Sequence, residues 1–206
     1  MSAFTAPPVP DRSQTTARLR AAASVSDVLA PGHLVIALLL AVGWSTTHSW
    51  NGLGWGLFAT VFCGFVPLGI VHLGVRRGTL TDRHIRVRRQ RIVPMGHALL
   101  SVVTGLVVLK VLDAPGDVYA TAVSMVAGLA GTLVTTVWWQ ISVHSAVATG
   151  AVVILLQCYG WWCAPAVPLV LVVMWSRLEL KAHTVAQLAG GAALGCAMAL
   201  LFQLFR

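Results

Sequence analysis

Two long stretches without a charged side chain constrain this chain more than any other feature. No Asp, Glu, Lys or Arg occurs between Asp27 and Arg76, or between Asp117 and Arg177. A helix that crosses a bilayer needs about 20 mostly apolar residues, so each stretch is long enough for at least two such helices. The composition agrees, because 57% of the 206 residues are hydrophobic and only 10% are charged, whereas soluble domains carry about 25% charged residues.

We therefore predict an all-α fold, a polytopic transmembrane bundle with about six to seven spanning helices. The apolar runs do not show the dyad alternation of a transmembrane β-barrel, which is the other structure that satisfies its backbone in lipid. Residues 1–26 are rich in Pro, Ser, Thr and Ala and predict a flexible cytoplasmic tail, followed by one transmembrane domain over residues 27–206. The expected spans are residues 31–48, 53–75, 94–112, 117–138, 144–160, 163–177 and 185–205.

The basic residues predict which side of the membrane each loop faces. Half of the 14 lysines and arginines fall in the segment Arg76–Arg91, and others lie in the N-terminal tail. Cytoplasmic loops carry an excess of Lys and Arg, so this segment and the tail are expected in the cytoplasm, in a bacterial-type plasma membrane. Counting helices from there places Ser142–His144 and Arg177–His183 on the same cytoplasmic face.

Two histidines and several arginines on that face are candidates for chemistry. His144 and His183 each fall at the first turn of a predicted helix, and Arg177 precedes His183 by six residues. Ionisable groups at membrane depth are costly and are functional hypotheses by default. Guanidinium groups bind phosphate in a bidentate fashion, and helix N-termini add N–H donors. These residues predict a phosphate site facing the membrane, although a positive-inside loop that contacts anionic headgroups remains the alternative for the arginine-rich segment.

Two short motifs resemble a known family. Ser176-Arg177, five residues, His183, three residues and Gln187 resemble the third signature of the type 2 phosphatidic acid phosphatase superfamily, S-R-x5-H-x3-D. The segment Ser142-Val143-His144 resembles the second signature, P-S-G-H, and lies one helical hairpin earlier. The resemblance covers roughly residues 82–205 and would make the domain at 27–206 a transmembrane phosphatase-like domain.

The resemblance implies a role for each matched residue. His183 would be the nucleophile that forms a phosphohistidine, and His144 would be the general acid that protonates the departing alkoxide. Arg177 and Ser142 would hold the phosphoryl oxygens, and no metal or other cofactor is implied. Phosphoryl transfer needs fixed positive charge around the equatorial oxygens, with nucleophile and acid on opposite sides. Imidazole suits either role because its pKa lies near neutrality.

The sequence departs from the family pattern in each of its three signatures. In the second, Ile141 and Val143 stand where the family has a proline and a glycine. Gln187 stands where the third signature has an aspartate that orients the nucleophile. At four residues from His183 on a helix it is still a neighbour, and its amide oxygen can accept from the ring without bringing a charge. The first signature, K-x6-R-P, is absent as written, and its nearest substitute lies in the arginine-rich segment. We assign the missing phosphate clamp to His84, Arg88 and Arg91.

These patterns predict an integral membrane phosphatase that hydrolyses a lipid-linked phosphate or diphosphate of the isoprenoid diphosphate or phosphatidic acid type. The alternative is a catalytically weak or inactive member that binds or carries lipid phosphates, which Gln187 motivates. A haem-binding membrane cytochrome would leave the arginine cluster unexplained. The expected partner is a membrane lipid substrate and not a nucleic acid, with the exact lipid and the oligomeric state left open.

Overall fold

The computed structural model describes residues 16–85 and 87–206, which are 85% helical and contain no strand. The predicted all-α fold class is therefore confirmed. In chain order the helices are α1 (Ala17–Val28), α2 (Pro31–Thr47), α3 (Trp50–Arg76, with a π-helical turn at Val61–Phe65), α4 (Arg88–Val111), α5 (Gly116–Trp138), α6 (Val143–Tyr159), α7 (Val167–Glu179) and α8 (Val185–Phe205).

Within the part of the chain that the structure describes, five helical segments are long and apolar enough to cross a membrane. They are Trp50–Arg76, Arg88–Val111, Gly116–Trp138, Val143–Glu179 and Val185–Phe205, and the bent pair α1 and α2 passes the same test only together, with a 45° angle between them. The molecule is thus a membrane-spanning helical bundle. The sequence predicted about six to seven spans, and the difference arises at the predicted span 31–48, which passes only together with α1, and within Val143–Glu179, where two spans were predicted.

That segment is a hairpin rather than one straight helix. A 3-10 turn at Gly160–Ala166 joins α6 to α7, and residues from both helices line one small cavity, including Val152 and Val173. The α7 helix has only 13 residues, so it is about 20 Å long and shorter than the hydrocarbon core of about 30 Å. The hairpin returns the end of α7 to the level at which α6 begins.

Side-chain caps fix the helix starts that matter for the site. Ser142 caps α6 by accepting from the Ser145 N–H, and Thr184 caps α8 with a full capping box in which Gln187 accepts from the Thr184 N–H. Such caps satisfy N–H groups that have no partner within the helix. His183 consequently lies just before α8, not within its first turn as the sequence predicted.

Close packing of α8 on α6 brings these two helix starts together. A Cβ atom at Gly191 would overlap the Ser142 carbonyl oxygen, and one at Gly195 would overlap the Ala146 carbonyl oxygen. Only glycine permits this approach of two backbones, as is common between membrane helices. The glycines of α8 therefore set the distance between the segments that contain His144 and His183.

The N-terminal region differs from its prediction as a tail. Residues 17–26 belong to α1, which packs on α7 and buries Ala22 and Ser26. An ion pair of 2.8 Å between Arg18 and Glu179 also joins these two helices. Composition suggested disorder because the segment is polar, but it is stabilised by its contacts with α7. The first 15 residues of the predicted tail lie outside the described residues.

Candidate active site

The polar segments that the sequence placed on one face meet in the structure. The Ser142 N–H donates to the Gln187 carbonyl oxygen at 3.1 Å, and the Ser145 hydroxyl donates to the Leu188 carbonyl oxygen at 3.0 Å. These bonds tie the start of α6 to the start of α8. Arg91 of α4 reaches the same place, where its Nη1 lies 3.5 Å from the Ile141 carbonyl oxygen.

Arg177 is the most deeply buried cation of this group. It lies in the last turn of α7 and is 1% exposed. Its Nη1 donates to the Ser26 hydroxyl of α1 at 2.6 Å. A guanidinium cannot be deprotonated near neutral pH, so it brings a permanent positive charge into the interior of the bundle. Such a charge favours an anion as its ligand.

His144 is 5% exposed, and it is close enough to Arg177 for the guanidinium charge to act on its ring. The backbone of Ser26 hydrogen bonds to its ring. The other ring nitrogen, Nε2, is buried and has no hydrogen-bond partner among the described residues. Buried polar atoms are nearly always paired in folded proteins, so an unpaired imidazole nitrogen points to a ligand or to chemistry.

His183 is held between two acceptors. Its Nδ1 donates to the Gln187 side-chain oxygen at 3.2 Å, as the sequence predicted, and the backbone of Gln140 also hydrogen bonds to the ring. Burial, followed by the charges of Arg91 and Arg177, lowers the pKa of His183 to about 4, and the two hydrogen bonds oppose this shift. The imidazole is therefore neutral at physiological pH.

Arg91 joins the cluster, whereas Arg88 does not. Arg91 is 5% exposed, and its Nε donates to the Ile85 carbonyl oxygen at 2.7 Å. Arg88, three residues earlier, is exposed and donates from Nη1 to the Trp138 carbonyl oxygen at 3.1 Å. Of the two arginines assigned to the phosphate clamp, the structure thus brings only Arg91 to the buried site.

His84 also reaches the cluster, together with a carboxylate. Its ring lies edge-on to the ring of His144, with 5.3 Å between the centroids. Its Nε2 donates to the Asp27 carboxylate at 3.1 Å, and the same carboxylate pairs with Arg83 at 3.2 Å. Burial and the charge of Arg177 lower the pKa of His84, while the bond to Asp27 opposes this shift.

Sequence reasoning missed the contribution of α1. Ser26 and Asp27 were placed at the boundary between tail and domain, yet they contact Arg177 and His84 respectively. One signal was available in the sequence. Asp27 is one of only six acidic residues and immediately precedes a long apolar run, where a lone carboxylate needs a cationic partner.

An apolar cavity of about 670 Å³ opens from this cluster into the bundle. Its polar end is formed by Asp27, Arg83, His84, Arg91 and His144, and the remaining lining is mainly Val, Leu, Met, Ala, Gly and Pro from α2 to α6. The π-helical turn of α3 contributes Cys63 and Gly64 to its wall. Ser142, Arg177 and His183 do not line the cavity. They adjoin the cluster through the hydrogen bonds described above.

The chain has no match among family models, curated proteins or solved structures. Within residues 16–85 and 87–206, no group of three or more His, Cys, Asp or Glu side chains is arranged to hold a metal ion. Three members of the cluster, His84, Arg91 and His144, lie at the polar end of an apolar cavity, and the charge of Arg177 acts on both imidazoles. This arrangement suits an amphiphile that carries a phosphate group on a hydrocarbon chain.

Proposed function

We propose that this chain is an integral membrane phosphatase that hydrolyses a lipid-linked phosphate or diphosphate through a phosphohistidine intermediate. The observation that carries the proposal is the meeting of two buried arginines, Arg91 and Arg177, with His144 and His183 beside an apolar cavity. Fixed positive charges beside an apolar cavity favour an anionic ligand, and imidazoles add a nucleophile and an acid.

The chemistry follows from the positions of these groups. Arg91 and Arg177 supply fixed positive charge for the phosphoryl oxygens, which accumulate charge during transfer. The start of α6, capped by Ser142, adds backbone N–H donors and the positive end of a helix dipole. By resemblance to type 2 phosphatidic acid phosphatases, His183 is the nucleophile and His144 the general acid. His84 completes the phosphate site in place of the lysine of the first signature.

The apolar cavity accounts for the lipid part of the substrate. A volume of about 670 Å³ is within the range of sites that enclose most of a small ligand. Its polar end carries His84, Arg91 and His144, so a phosphate bound there leaves the hydrocarbon chain in the apolar part. Isoprenoid diphosphates and phosphatidic acid are the substrate types that combine these features.

The membrane orientation belongs to the same proposal. The arginine-rich segment Arg76–Arg91 leads directly into the polar end of the cavity, and it carries the charge excess that marks cytoplasmic loops. The protein would then reside in a bacterial-type plasma membrane with its active site and N-terminus on the cytoplasmic side. Lipid phosphates synthesised in the cytoplasm would reach the site from that side.

A second function is favoured by one observation. Gln187 provides the capping-box side chain of α8 and accepts from both His183 and the Thr184 N–H. The residue is thus explained by helix capping alone and leaves His183 without the carboxylate of the family pattern. A protein that binds or carries lipid phosphates without hydrolysing them would need the arginines but not an activated histidine.

Phosphate release from defined lipids tests the proposal. Purified protein in detergent micelles is incubated, in the presence of EDTA, with phosphatidic acid, farnesyl diphosphate and other lipid phosphates. We expect phosphate release that His144→Ala and Arg177→Lys reduce by at least about 100-fold, since a histidine acid or base contributes about 10²–10⁴-fold. Arg89→Ala, which removes an exposed arginine from the same basic segment, is the matched control.

The outcome also separates the two functions. Binding of these lipids without phosphate release, by a protein that is folded and monodisperse, would favour the carrier. Neither binding nor release would contradict both functions.

A further inference from the structure

We propose that the apolar cavity selects a lipid by the length of its hydrocarbon, that it encloses one chain of about 12 main-chain carbons, and that Met125 sets this limit. The inference rests on the proposed binding of a lipid-linked phosphate and adds which lipid the site prefers. A single-chain isoprenoid diphosphate of the length of farnesyl diphosphate would then be a good ligand, and phosphatidic acid with two long chains a poor one.

The depth of the cavity can be measured along α6. The lining residues of this helix include His144, Val147, Ala151 and Ile154, which are three or four positions apart and therefore share one side of the helix. An α-helix rises about 1.5 Å per residue, so Ile154 lies about 15 Å beyond His144 along the helix axis. The α6 face thus extends from the polar end of the cavity to a large aliphatic side chain.

The α4 helix gives the same depth independently. Its lining residues begin with Arg91 at the polar end, continue through Ala98 and finish with Val102. Val102 lies about 16 Å beyond Arg91 at the same rise per residue. Both helices thus begin at a residue of the polar end and finish at an aliphatic residue at nearly the same depth, which we call the deep end.

The hydrophobic core closes the deep end. Ile154 packs in one buried cluster with Phe202, and Val102 packs in a second cluster with Leu109. Phe202 and Leu109 are 0% exposed and do not line the cavity. Met125 of α5 packs against both clusters and also lines the cavity, so it lies where the two clusters meet. A chain that reaches Met125 meets a close-packed interior.

The length and the volume of the cavity indicate one chain. A C–C bond of about 1.5 Å is inclined to the axis of an extended chain and advances it by about 1.3 Å, so about 15 Å corresponds to about 12 carbons. The main chain of a farnesyl group has this length. If each carbon takes about the volume of a water molecule in the liquid, about 30 Å³, a farnesyl group needs about 450 Å³ and two long acyl chains need about 960 Å³. Only the farnesyl group fits within about 670 Å³.

Packing, not removal from water, makes the cavity selective. Lipid tails in a bilayer or micelle are already out of water, so the cavity and the lipid phase differ mainly in the contacts that they offer. A chain that fills the cavity contacts the faces of α4 and α6 along its whole length. A longer chain must bend or displace Met125. The preferred length should therefore change when one lining side chain changes size.

Binding of n-alkylphosphonates tests the inference without hydrolysis, because their carbon–phosphorus bond is stable. The melting temperature of the purified protein is measured in detergent with phosphonates of different chain length, from octyl to octadecyl, at one molar ratio of ligand to detergent. We expect the largest stabilisation near the dodecyl compound and less with hexadecyl and octadecyl. Partitioning into micelles depends on the ligand alone, so it cancels when variants are compared at the same ligand.

Two variants should move the preferred length in opposite directions. Met125→Ala removes three heavy atoms at the deep end, and we expect the preferred chain to be longer by about three carbons. Ala98→Leu adds a side chain about 10 Å from Arg91 along α4, so the preferred chain should shorten to about eight carbons. Met174→Ala is the matched control, because Met174 is a partly buried residue of α7 that does not line the cavity.

The prenyl diphosphates give a catalytic readout of the same preference. We expect wild type to have a kcat/KM at least about tenfold higher for farnesyl than for geranylgeranyl diphosphate, since a pocket of fixed size discriminates by this amount. Met125→Ala should reduce the ratio to less than about threefold, and Met174→Ala should leave it unchanged. A ratio that is the same in Met125→Ala and in wild type would contradict the role of Met125.

The outcomes separate this inference from the proposed function. The same preferred length in wild type and both variants, or stabilisation that increases steadily to the octadecyl compound, would overturn the inference. A shift in Ala98→Leu alone would retain the length limit and overturn its assignment to Met125. A length preference without phosphate release from any lipid would contradict hydrolysis and support the inference. No stabilisation by any phosphonate would contradict both the phosphate site and the length limit.

Discussion

At the scale of single residues, the position of Gln187 decides how the site works. The family resemblance predicted that this residue would accept from His183 without providing charge, and the structure has that bond at 3.2 Å. The capping box was not predicted, although Thr184 and Gln187 have its spacing at the start of the predicted span at residues 185–205. Restoring a negative charge at this position should therefore change His183 without disturbing the helix.

Gln187→Glu tests this expectation. Glu fills the same position of a capping box as Gln, and its charge favours the protonated imidazole. The pKa of His183, now lowered to about 4 by burial and by Arg91 and Arg177, should rise by about one to two units. An NMR titration of histidine-labelled protein measures it, with Gln187→Ala as the variant that removes both the bond and the cap. An unchanged pKa in Gln187→Glu would mean that the two side chains are not in contact.

The pH dependence of stability follows from the same residue. The unfolded state takes up a proton near pH 6.5 and the folded state only near pH 4, so the unfolded state binds more protons between these values. Stability should fall as the pH decreases from about 6.5 to about 4, by at most about 3 kcal/mol for this group. Thermal unfolding in detergent should show a smaller fall for His183→Gln than for wild type. His97→Gln, at an exposed position of α4, should behave as wild type.

At the scale of helices, α1 was the element that the sequence analysis did not predict. Its polar composition predicted a tail, whereas the structure has a helix whose buried Ser26 contacts Arg177. Helices of such composition form when tertiary contacts stabilise them, and a local pattern does not record those contacts. By contrast, small residues in α8 are a pattern typical of close contacts between membrane helices, and the structure has such contacts at Gly191 and Gly195.

Ser26→Ala measures what α1 contributes. The variant removes the hydroxyl that accepts from the buried Arg177 at 2.6 Å, and hydrogen bonds to charged groups contribute about 1.5–3 kcal/mol. We expect a loss of about 2 kcal/mol in the free energy of unfolding and a lower melting temperature. Ser24→Ala removes an exposed hydroxyl from the same helix and should have little effect. Equal melting temperatures for the two variants would mean that α1 does not dock on α7.

Gly191→Ala tests the contact that brings the two histidine segments together. The added methyl group would overlap the Ser142 carbonyl oxygen and the Ser145 hydroxyl, and overpacking typically costs about 1–3 kcal/mol. We expect lower thermal stability and reduced phosphate release, because α8 must move away from α6. Gly96→Ala in α4 adds a methyl group where no atom lies within 4 Å, and it should keep both properties. Retention of both properties in Gly191→Ala would contradict the close approach.

At the scale of the whole molecule, helix number and charge asymmetry were sufficient to predict which segments meet. The prediction that Ser142–His144 and Arg177–His183 share a face is confirmed by the bond from Ser142 to Gln187 and by the contact of both Arg177 and His144 with Ser26. The cavity could not be predicted, because it depends on the spacing of the several helices that line it. The different surroundings of Arg88 and Arg91 could not be predicted either. Arg88 donates to the Trp138 carbonyl oxygen, whereas Arg91 donates to that of Ile85.

The orientation of the bundle in the membrane is a prediction at this scale. Reporter fusions at residue 85 and at residue 162 lie at opposite ends of the bundle, one in the arginine-rich segment and one in the turn between α6 and α7. We expect the fusion at 85 to report the cytoplasm and the fusion at 162 to report the outside. The opposite result would place the active site on the outer face and would exclude cytoplasmic access for the substrate.

The source of oxygen in the released phosphate tests the central claim most directly. Hydrolysis of farnesyl diphosphate in H₂¹⁸O, with EDTA present, is followed by mass spectrometry of the released phosphate and of the lipid product. Attack by a histidine at phosphorus, followed by water, predicts one ¹⁸O atom in inorganic phosphate and none in the lipid product. Release of ¹⁸O-labelled farnesol would show cleavage at carbon, and the absence of labelled phosphate would contradict a histidine phosphatase.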